Sequence, residues 1–146
     1  MNQLNVKRLT PTAKLPQRAT SGSAGYDLCA DLAEPLELLP GERKKVPTGI
    51  AIGIGDAGIV GLVYARSGLS VKHGIAPINC VGVIDSDYRG ELLVPLTNHG
   101  QEAYVIQPGE RIAQLLLAPV FLPELVEVDE LEETGRGTGG FGSTGA

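Results

Sequence analysis

The chain has 146 residues, a size that suits one domain with its own hydrophobic core rather than two. Twelve Lys and Arg against 17 Asp and Glu give a net charge of -5, and no dense basic cluster is present, which argues against nucleic-acid binding. The first ten residues lack an apolar signal region, and no apolar run approaches the roughly 18 residues needed to span a bilayer, so we expect a soluble, cytoplasmic protein.

Short apolar segments separated by glycine and proline follow one another along the chain. Each has the alternation or the buried run that is typical of a β-strand. The 20 glycines and 10 prolines argue against long helices and favour many tight turns. We therefore predict an all-β fold, a sandwich or jelly roll. The predicted strands lie in "LELLP", "KKVPTGIAIGI", "GIVGLVYA", "IAPINCVGVID", "ELLVPLTN", "EAYVIQPG" and "IAQLLLAPV".

Four further segments predict local structure. "LLPGERKKV" and "IQPGERIAQ" each place Pro-Gly at the centre of a type II turn between two strands. "ARSGLSVKHG" is the one segment that favours a helix, with Ser67 as the N-cap and Gly74 at its end. The acidic segment "ELVEVDELEET" predicts a last strand that leads into a solvated linker.

Two matches to the dinucleotide-binding pattern G-x-G-x-x-G are excluded by their context. "GIGDAG" is followed by a second strand rather than a helix, which indicates a hairpin turn. "GRGTGG" lies too close to the C-terminus to open the required helix. No G-K-[ST] occurs, so a P-loop is also excluded.

The cysteines and histidines give no metal motif. Cys29 and Cys80 lie in apolar runs without metal-ligand spacing, and we interpret them as small buried hydrophobic residues. His73 and His99 are far apart in sequence.

Charged and hydroxyl side chains cluster in two short segments. In "ARSGLS", Arg66, Ser67 and the free N–H groups at a helix start could bind an anion, although a simple capped turn explains the segment equally well. In "GVIDSDYRGEL", Asp85 follows an apolar strand and could be a general base, but a turn alone also accounts for Asp-Ser-Asp. Asp27, inside an apolar strand pattern, needs a partner such as a metal-bound water.

The C-terminus "GRGTGGFGSTGA" permits two interpretations. A terminus this rich in glycine is commonly a disordered tail. It also carries a cation, an aromatic ring and two hydroxyls, a set that suits an aromatic, anionic ligand.

Taken together and in order, these segments resemble a known enzyme family. "SAGYDLCA", "ARSGLS", "NCVGVIDSDYRGEL", "GERIAQLLLAP" and "GRGTGGFGSTG" closely resemble the five motifs of trimeric deoxyuridine triphosphatases (dUTPases), and they span most of the chain. The chain departs from the family at Ala65, where proline is common, and at Thr138, a variable position. Neither change removes a functional group.

The resemblance implies a fold, an activity and an assembly. It implies a jelly-roll subunit with one short helix, assembled as a homotrimer with shared active sites, and Mg²⁺-dependent hydrolysis of dUTP to dUMP and pyrophosphate. That reaction limits uracil incorporation into DNA and supplies dUMP for thymidylate synthesis. The partners are then the small-molecule substrate and the other subunits, with no nucleic acid and no membrane.

The resemblance also assigns roles to individual residues. Asp85 would be the catalytic residue that activates water for attack on the α-phosphate, and Asp27 would hold the metal through a bound water. Residues 1–133 would form the catalytic domain and residues 134–146 a flexible Gly-rich lid. The implied substrate-binding residues are Asn79, Val83 and Tyr88 for the nucleoside, Arg66, Ser67, Gly68 and Gln114 for the phosphates, and Arg136, Phe141, Gly142, Ser143 and Thr144 in the lid.

Three alternatives remain at the level of the sequence. A dCTP deaminase shares the fold but lacks the Phe-containing C-terminal motif and the arrangement of Asp85 and Tyr88. A nucleotide-sensing module would bind dUTP without turning it over, which an intact Asp85 argues against. A purely structural jelly roll leaves five ordered motifs unexplained.

Overall fold

The computed structural model describes residues 3–140. Within that range the chain forms eleven strands and one helix, which confirms the all-β jelly-roll prediction with a single short helix. No helix in these residues is long and apolar enough to cross a membrane. The elements are β1 (Asn5–Arg8), β2 (Tyr26–Cys29), β3 (Leu36–Leu38), β4 (Arg43–Val46), β5 (Ile50–Gly53), β6 (Ile59–Tyr64), α1 (Ser67–His73), β7 (Ile75–Pro77), β8 (Gly82–Ile84), β9 (Val94–Asn98), β10 (Tyr104–Ile106) and β11 (Arg111–Pro119).

The strands form small antiparallel sheets, in which neighbouring strands are distant from one another in sequence. The largest sheet has the order β2-β11-β6-β8, and a second has the order β4-β9-β7. The pairs β1-β5 and β3-β10 complete the fold. β11 lies between β2 and β6, so this last strand brings two segments that are distant in sequence into one sheet.

Alternating side chains from these sheets fill one core. Successive strand residues point to opposite faces, so β6 contributes alternate residues to the core, whereas Ile50, Ala51 and Ile52 of β5 are all buried. Leu115 of β11 and Val63 of β6, which pair in register, both point inward. The most deeply buried large side chains are Leu28, Leu38, Ile50, Ile75, Leu92, Leu96, Ile106, Ile112 and Leu115.

Both predicted Pro-Gly turns are confirmed. The N–H of Glu42 donates to the carbonyl of Leu39 at 2.9 Å, and the N–H of Glu110 donates to the carbonyl of Gln107 at 3.0 Å. Gly41 and Gly109 each have φ 75, the left-handed value that the third position of a type II turn requires.

The predicted hairpin at "GIGDAG" is wrong, although a turn is present. The N–H of Ile59 donates to the carbonyl of Asp56 at 3.1 Å. The strands on either side belong to different sheets, because β6 is paired on both edges by β11 and β8, whereas β5 pairs with β1.

The predicted helix is present, but its N-cap is not Ser67. Arg66, with extended φ -91 and ψ 129, occupies the cap position, and Ser67 is the first helical residue. The reason is that the first helical hydrogen bond runs from the N–H of Ser70 to the carbonyl of Arg66. Gly74 ends the helix in the left-handed conformation, as predicted.

Two other predictions are wrong. Residues 124–134 form no strand, because no sheet edge of the described chain pairs with them, and Phe121 and Leu125 are 92% and 93% exposed. Cys80 is exposed rather than buried and has φ 63, while Cys29 is half-buried.

Candidate active site

One end of the largest sheet forms a cavity that we call the Asp27 pocket. Gln114 of β11 pairs with Asp27 of β2 on one side and with Tyr64 of β6 on the other. Arg66 and Ser67 follow the end of β6 after one residue, Ala65, so the register of three strands brings these residues together. The pocket has a volume of about 210 Å³, and its polar lining includes Asp27, Arg66, Ser67, Gly68 and Gln114, all of which the sequence predicts as site residues.

The Asp27 carboxylate lies between two guanidinium groups. Nε of Arg66 donates to Oδ1 at 2.9 Å, and an Nη atom of Arg111 donates to Oδ2 at 3.1 Å. The Asp27 side chain is 16% exposed, and ion pairing offsets the cost of removing its charge from water. The predicted need for a partner is therefore met by arginines. Sequence reasoning missed Arg111, which reaches Asp27 only through the bulged pairing of β11 with β2.

The Gln114 side chain lines the Asp27 pocket. Its Nε2 donates to the carbonyl of Ala65 at 2.9 Å, which leaves the amide at the start of α1. A Cβ atom added to Gly25 would lie 2.5 Å from Oε1 of Gln114, so the amide occupies the space that a larger residue there would need. Ser67 and Gly68 are exposed, and α1 has no side-chain cap. The first turn of α1 therefore lines the pocket without a capping side chain on its N–H groups.

A second, smaller cavity surrounds Asp85. This Asp85 pocket, of about 150 Å³, is lined by Val83, Asp85, Tyr88 and Glu91 among others. Asp85 directly follows β8 and is exposed. The N–H of Tyr88 donates to the carbonyl of Asp85 at 3.1 Å, and the Tyr88 hydroxyl donates to the carbonyl of Glu91 at 2.9 Å. The first bond closes the turn, and the second fixes the tyrosine ring in the pocket that Asp85 also lines.

Asn79 lies next to the Asp85 pocket but outside its lining. The N–H of Val81 donates to the carbonyl of Asn79 at 2.7 Å, which closes a tight turn through Cys80. The Asn79 side chain is exposed, and a Cβ atom on Gly82 would lie 3.7 Å from its Nδ2. The amide is thus positioned over the glycine that opens β8.

The two pockets are separate within one chain, because they share no lining residue. Ile84, just before Asp85, pairs with Gly61 near the start of β6. Arg66 lies five residues beyond Gly61 along extended chain, so the Cα atoms of Gly61 and Arg66 are about 16 Å apart. Asp85 and Arg66 of one chain therefore lie at opposite ends of β6.

Of the predicted C-terminal residues, the structure describes Arg136, which lines neither pocket. Arg136 is exposed, and its Nε donates to the carbonyl of Gly139 at 3.0 Å within its own turn. Phe141, Gly142, Ser143 and Thr144 lie outside the described residues.

Among residues 3–140 no group of three or more His, Cys, Asp or Glu side chains is arranged to hold a metal ion. Asp27 is a single carboxylate that faces a pocket lined by donors. Such a site fits Mg²⁺, which keeps several waters and binds through one or two carboxylates together with substrate phosphates. It does not fit an ion that needs an all-protein cage.

The fold and its pockets define an all-β protein with two features. One is a donor-lined cavity that suits an anion, and the other is an exposed carboxylate at the end of a strand. Comparison with known families gives a match of the dUTPase family model to residues 11–145. The chain belongs to the dUTPase family.

The similar proteins agree with that assignment. The chain is 53% identical over 149 residues to a deoxyuridine 5'-triphosphate nucleotidohydrolase of Desulfitobacterium hafniense, with 99% of each covered. It is 54% identical over 132 residues to the corresponding protein of Paraburkholderia xenovorans, covering 90% of this chain and 89% of that protein.

Two solved structures show the same fold. The dUTPase of Staphylococcus bacteriophage 80alpha with dUPNHPP superposes with a TM-score of 0.90, at 34% identity and 100% coverage of both chains. A dUTPase from phage phi11 of S. aureus, described as coordinating a structural Mg(II) ion, superposes with a TM-score of 0.80 at 31% identity, covering 90% of this chain and 100% of that chain.

Proposed function

We propose that this protein is a dUTP diphosphatase, which hydrolyses dUTP to dUMP and pyrophosphate and so limits uracil incorporation into DNA. The observation that carries the proposal is the Asp27 pocket, which collects five of the motif residues in a chain of the dUTPase family. The proposed location is the cytoplasm, where the two free cysteines would stay reduced.

The Asp27 pocket supplies the phosphate contacts. Arg66 lies at the start of α1 and offers a positive charge, while Ser67 and Gly68 offer a hydroxyl and backbone N–H groups. Gln114 completes the set from β11. Hydrogen bonds to a charged phosphate contribute about 1.5–3 kcal/mol each, roughly twice the value between neutral groups. The chain has a net charge of -5 and therefore repels a polyanion such as a triphosphate. The donors of the Asp27 pocket offset this repulsion locally.

The Asp85 pocket supplies the nucleoside contacts and the base. Asp85 is exposed at a rigid strand end, so its carboxylate can orient a water and take its proton as that water attacks the α-phosphorus. Tyr88, fixed by its bond to Glu91, would pack against the deoxyribose and exclude a 2′-hydroxyl. Asn79 and the backbone at Val83 would pair with the uracil edge. A site that hydrogen-bonds uracil can reject a mismatched base by about 10⁴–10⁵-fold.

One active site would be assembled from more than one chain. The separation of about 16 Å along β6 keeps Asp85 and Arg66 of one chain apart. A second chain that brings its Asp85 pocket to the Asp27 pocket would complete the site. The exposed apolar side chains between residues 121 and 131 are a further argument, since a neighbouring subunit would bury them. We propose the homotrimer that the family resemblance implies.

Mg²⁺ is the proposed cofactor. When bound, it would neutralise phosphate charge and help to align the triphosphate. Asp27 would hold the ion's water shell from one side of the pocket. Because both carboxylate oxygens of Asp27 already accept hydrogen bonds from arginines, the carboxylate is oriented before any ligand arrives.

Residues 134–146 are the proposed lid. Phe141 would stack on uracil, and Arg136, Gly142, Ser143 and Thr144 would contact the phosphates. Closure of such a segment excludes bulk water and aligns the reacting groups.

The experiment that tests the function is pyrophosphate release with Mg²⁺ from dUTP, dCTP, dTTP and UTP in parallel. We expect release from dUTP and at least 100-fold slower release from the other three. Deamination of dCTP, or dUTP binding without release, would overturn the proposal. Sedimentation of the same sample tests the assembly, because a fully active monomer contradicts the shared site.

A further inference from the structure

A third cavity adjoins the Asp27 pocket on the other side of Asp27. It has a volume of about 380 Å³, and its lining includes the cationic residues Arg8, Lys14, Arg18 and Arg111. We call it the basic pocket. Asp27 and Ala19 line both cavities. The Asp27 side chain is therefore the wall between them, with Arg66 on one carboxylate oxygen and Arg111 on the other.

The basic pocket is strongly positive in a chain that is negative overall. Its lining has four cations and one carboxylate, that of Asp27, which pairs with Arg66 and Arg111, so Arg8, Lys14 and Arg18 carry the excess positive charge. The whole chain has a net charge of -5. A cleft lined by one sign of charge concentrates the electric field and raises the local concentration of oppositely charged ligands.

Neutral groups, rather than carboxylates, hold Lys14 and Arg18 in place. Nζ of Lys14 donates to the carbonyl of Gly109 at 3.0 Å. Arg18 donates to the carbonyl of Ser21 at 3.3 Å, and its guanidinium lies 5.7 Å from the centre of the Tyr26 ring. These partners fix the side chains but leave their charge uncompensated, which is the arrangement an anion site needs.

We propose that the basic pocket is a second anion subsite, which binds a polyphosphate chain beside the Asp27 pocket. The inference rests on the proposed function, because it concerns the same nucleotide. Two anions share the required chemistry: the triphosphate of the incoming nucleotide and the departing pyrophosphate. Either would pass between the pockets beside Asp27 and Arg111. The Arg111 side chain is 54% exposed and can contact an anion in the basic pocket while it remains on Asp27.

The test removes two charges that neither touch Asp27 nor line the Asp27 pocket. The variant Lys14→Gln/Arg18→Gln is compared with Lys14→Arg/Arg18→Lys, which keeps the charge. The matched control Arg43→Gln/Lys45→Gln removes two exposed charges from β4, in a different sheet. Binding of inorganic pyrophosphate alone is measured by calorimetry, and dUTP turnover is measured over a range of salt concentrations.

We expect the Lys14→Gln/Arg18→Gln variant to bind pyrophosphate about fivefold more weakly at low salt, with a shallower salt dependence. Lower kcat/KM at unchanged kcat would identify the incoming triphosphate as the anion. Weaker product inhibition at unchanged kcat/KM would identify departing pyrophosphate. The charge-preserving variant and the β4 control are expected to behave like the intact protein.

The proposal is overturned if the Lys14→Gln/Arg18→Gln variant matches the β4 control in pyrophosphate binding and in kcat/KM. It is also overturned if the charge-preserving variant loses as much binding, since that result points to a folding effect. Failure of the proposed function would give a different result. If the intact protein binds pyrophosphate in the basic pocket but does not hydrolyse dUTP, the subsite proposal stands and the proposed activity is refuted.

Discussion

Gly25 gives a test of how the Asp27 pocket is built. A Cβ atom at this position would lie 2.5 Å from Oε1 and 3.2 Å from Cβ of Gln114, and 3.2 Å from a methyl group of Leu116. Gly25 is not among the glycines with positive φ, so alanine is compatible with its backbone. The substitution Gly25→Ala therefore acts by displacing the Gln114 amide from the pocket.

The expected size follows from the contacts. Moving the amide breaks its 2.9 Å bond to Ala65, at a cost of about 1 kcal/mol. Overpacking against the Gln114 Cβ adds about 1–3 kcal/mol of lost stability. A lost hydrogen bond to a charged phosphate is worth about 1.5–3 kcal/mol, which corresponds to about a ten- to hundredfold loss in kcat/KM.

The assay is steady-state dUTP hydrolysis with thermal unfolding on the same samples. Gly22→Ala is the matched control, because a Cβ atom at Gly22 meets nothing within 4 Å. We expect Gly25→Ala to lose kcat/KM and to melt several degrees lower, while Gly22→Ala stays within twofold. Equal kcat/KM in the two variants would refute the claim that Gln114 contacts the substrate.

Three further predictions concern other parts of the chain. Burial and the hydrogen-bonded carboxylate of Glu110 raise the pKa of Tyr104 to about 12, so the folded state keeps a proton that the unfolded state loses between about pH 10 and 12. Stability should fall with rising pH in that window, and pH-dependent unfolding of Tyr104→Phe should show a smaller fall. Iodoacetamide should label exposed Cys80 before Cys29, whose pKa is raised by burial; peptide mapping that finds Cys29 modified first would contradict the assignment. Deleting residues 134–146 should abolish most dUTP hydrolysis and leave the melting temperature within about 2 °C, whereas a large loss of stability would mean that the segment belongs to the folded domain.

Local chemistry explains what the sequence could predict. The Pro-Gly pairs specify type II turns because Gly41 and Gly109 reach φ 75 without a side-chain clash. Gly74 ends α1 for the same reason. These features depend on a few neighbouring residues, so a short window contains the information.

Long-range pairing explains what the sequence could not predict. The contact of Arg111 with Asp27 depends on the register between β11 and β2, which no local pattern contains. The strand predicted at residues 124–134 has the right alternation but no partner edge in the described chain. The separation of Asp85 from Arg66 also follows only from the pairing of β8 with β6.

Asp85 is the residue proposed to activate the attacking water, and two matched variants isolate that role. Asp85→Asn and Asp87→Asn make the same chemical change at two exposed carboxylates of one turn, and only Asp85 lines the Asp85 pocket. Loss of a general base predicts that Asp85→Asn slows pyrophosphate release from saturating dUTP by about 10²–10⁴-fold, while Asp87→Asn stays within a few fold. Comparable rates in the two variants, with dUTP still bound, would show that Asp85 is not the general base.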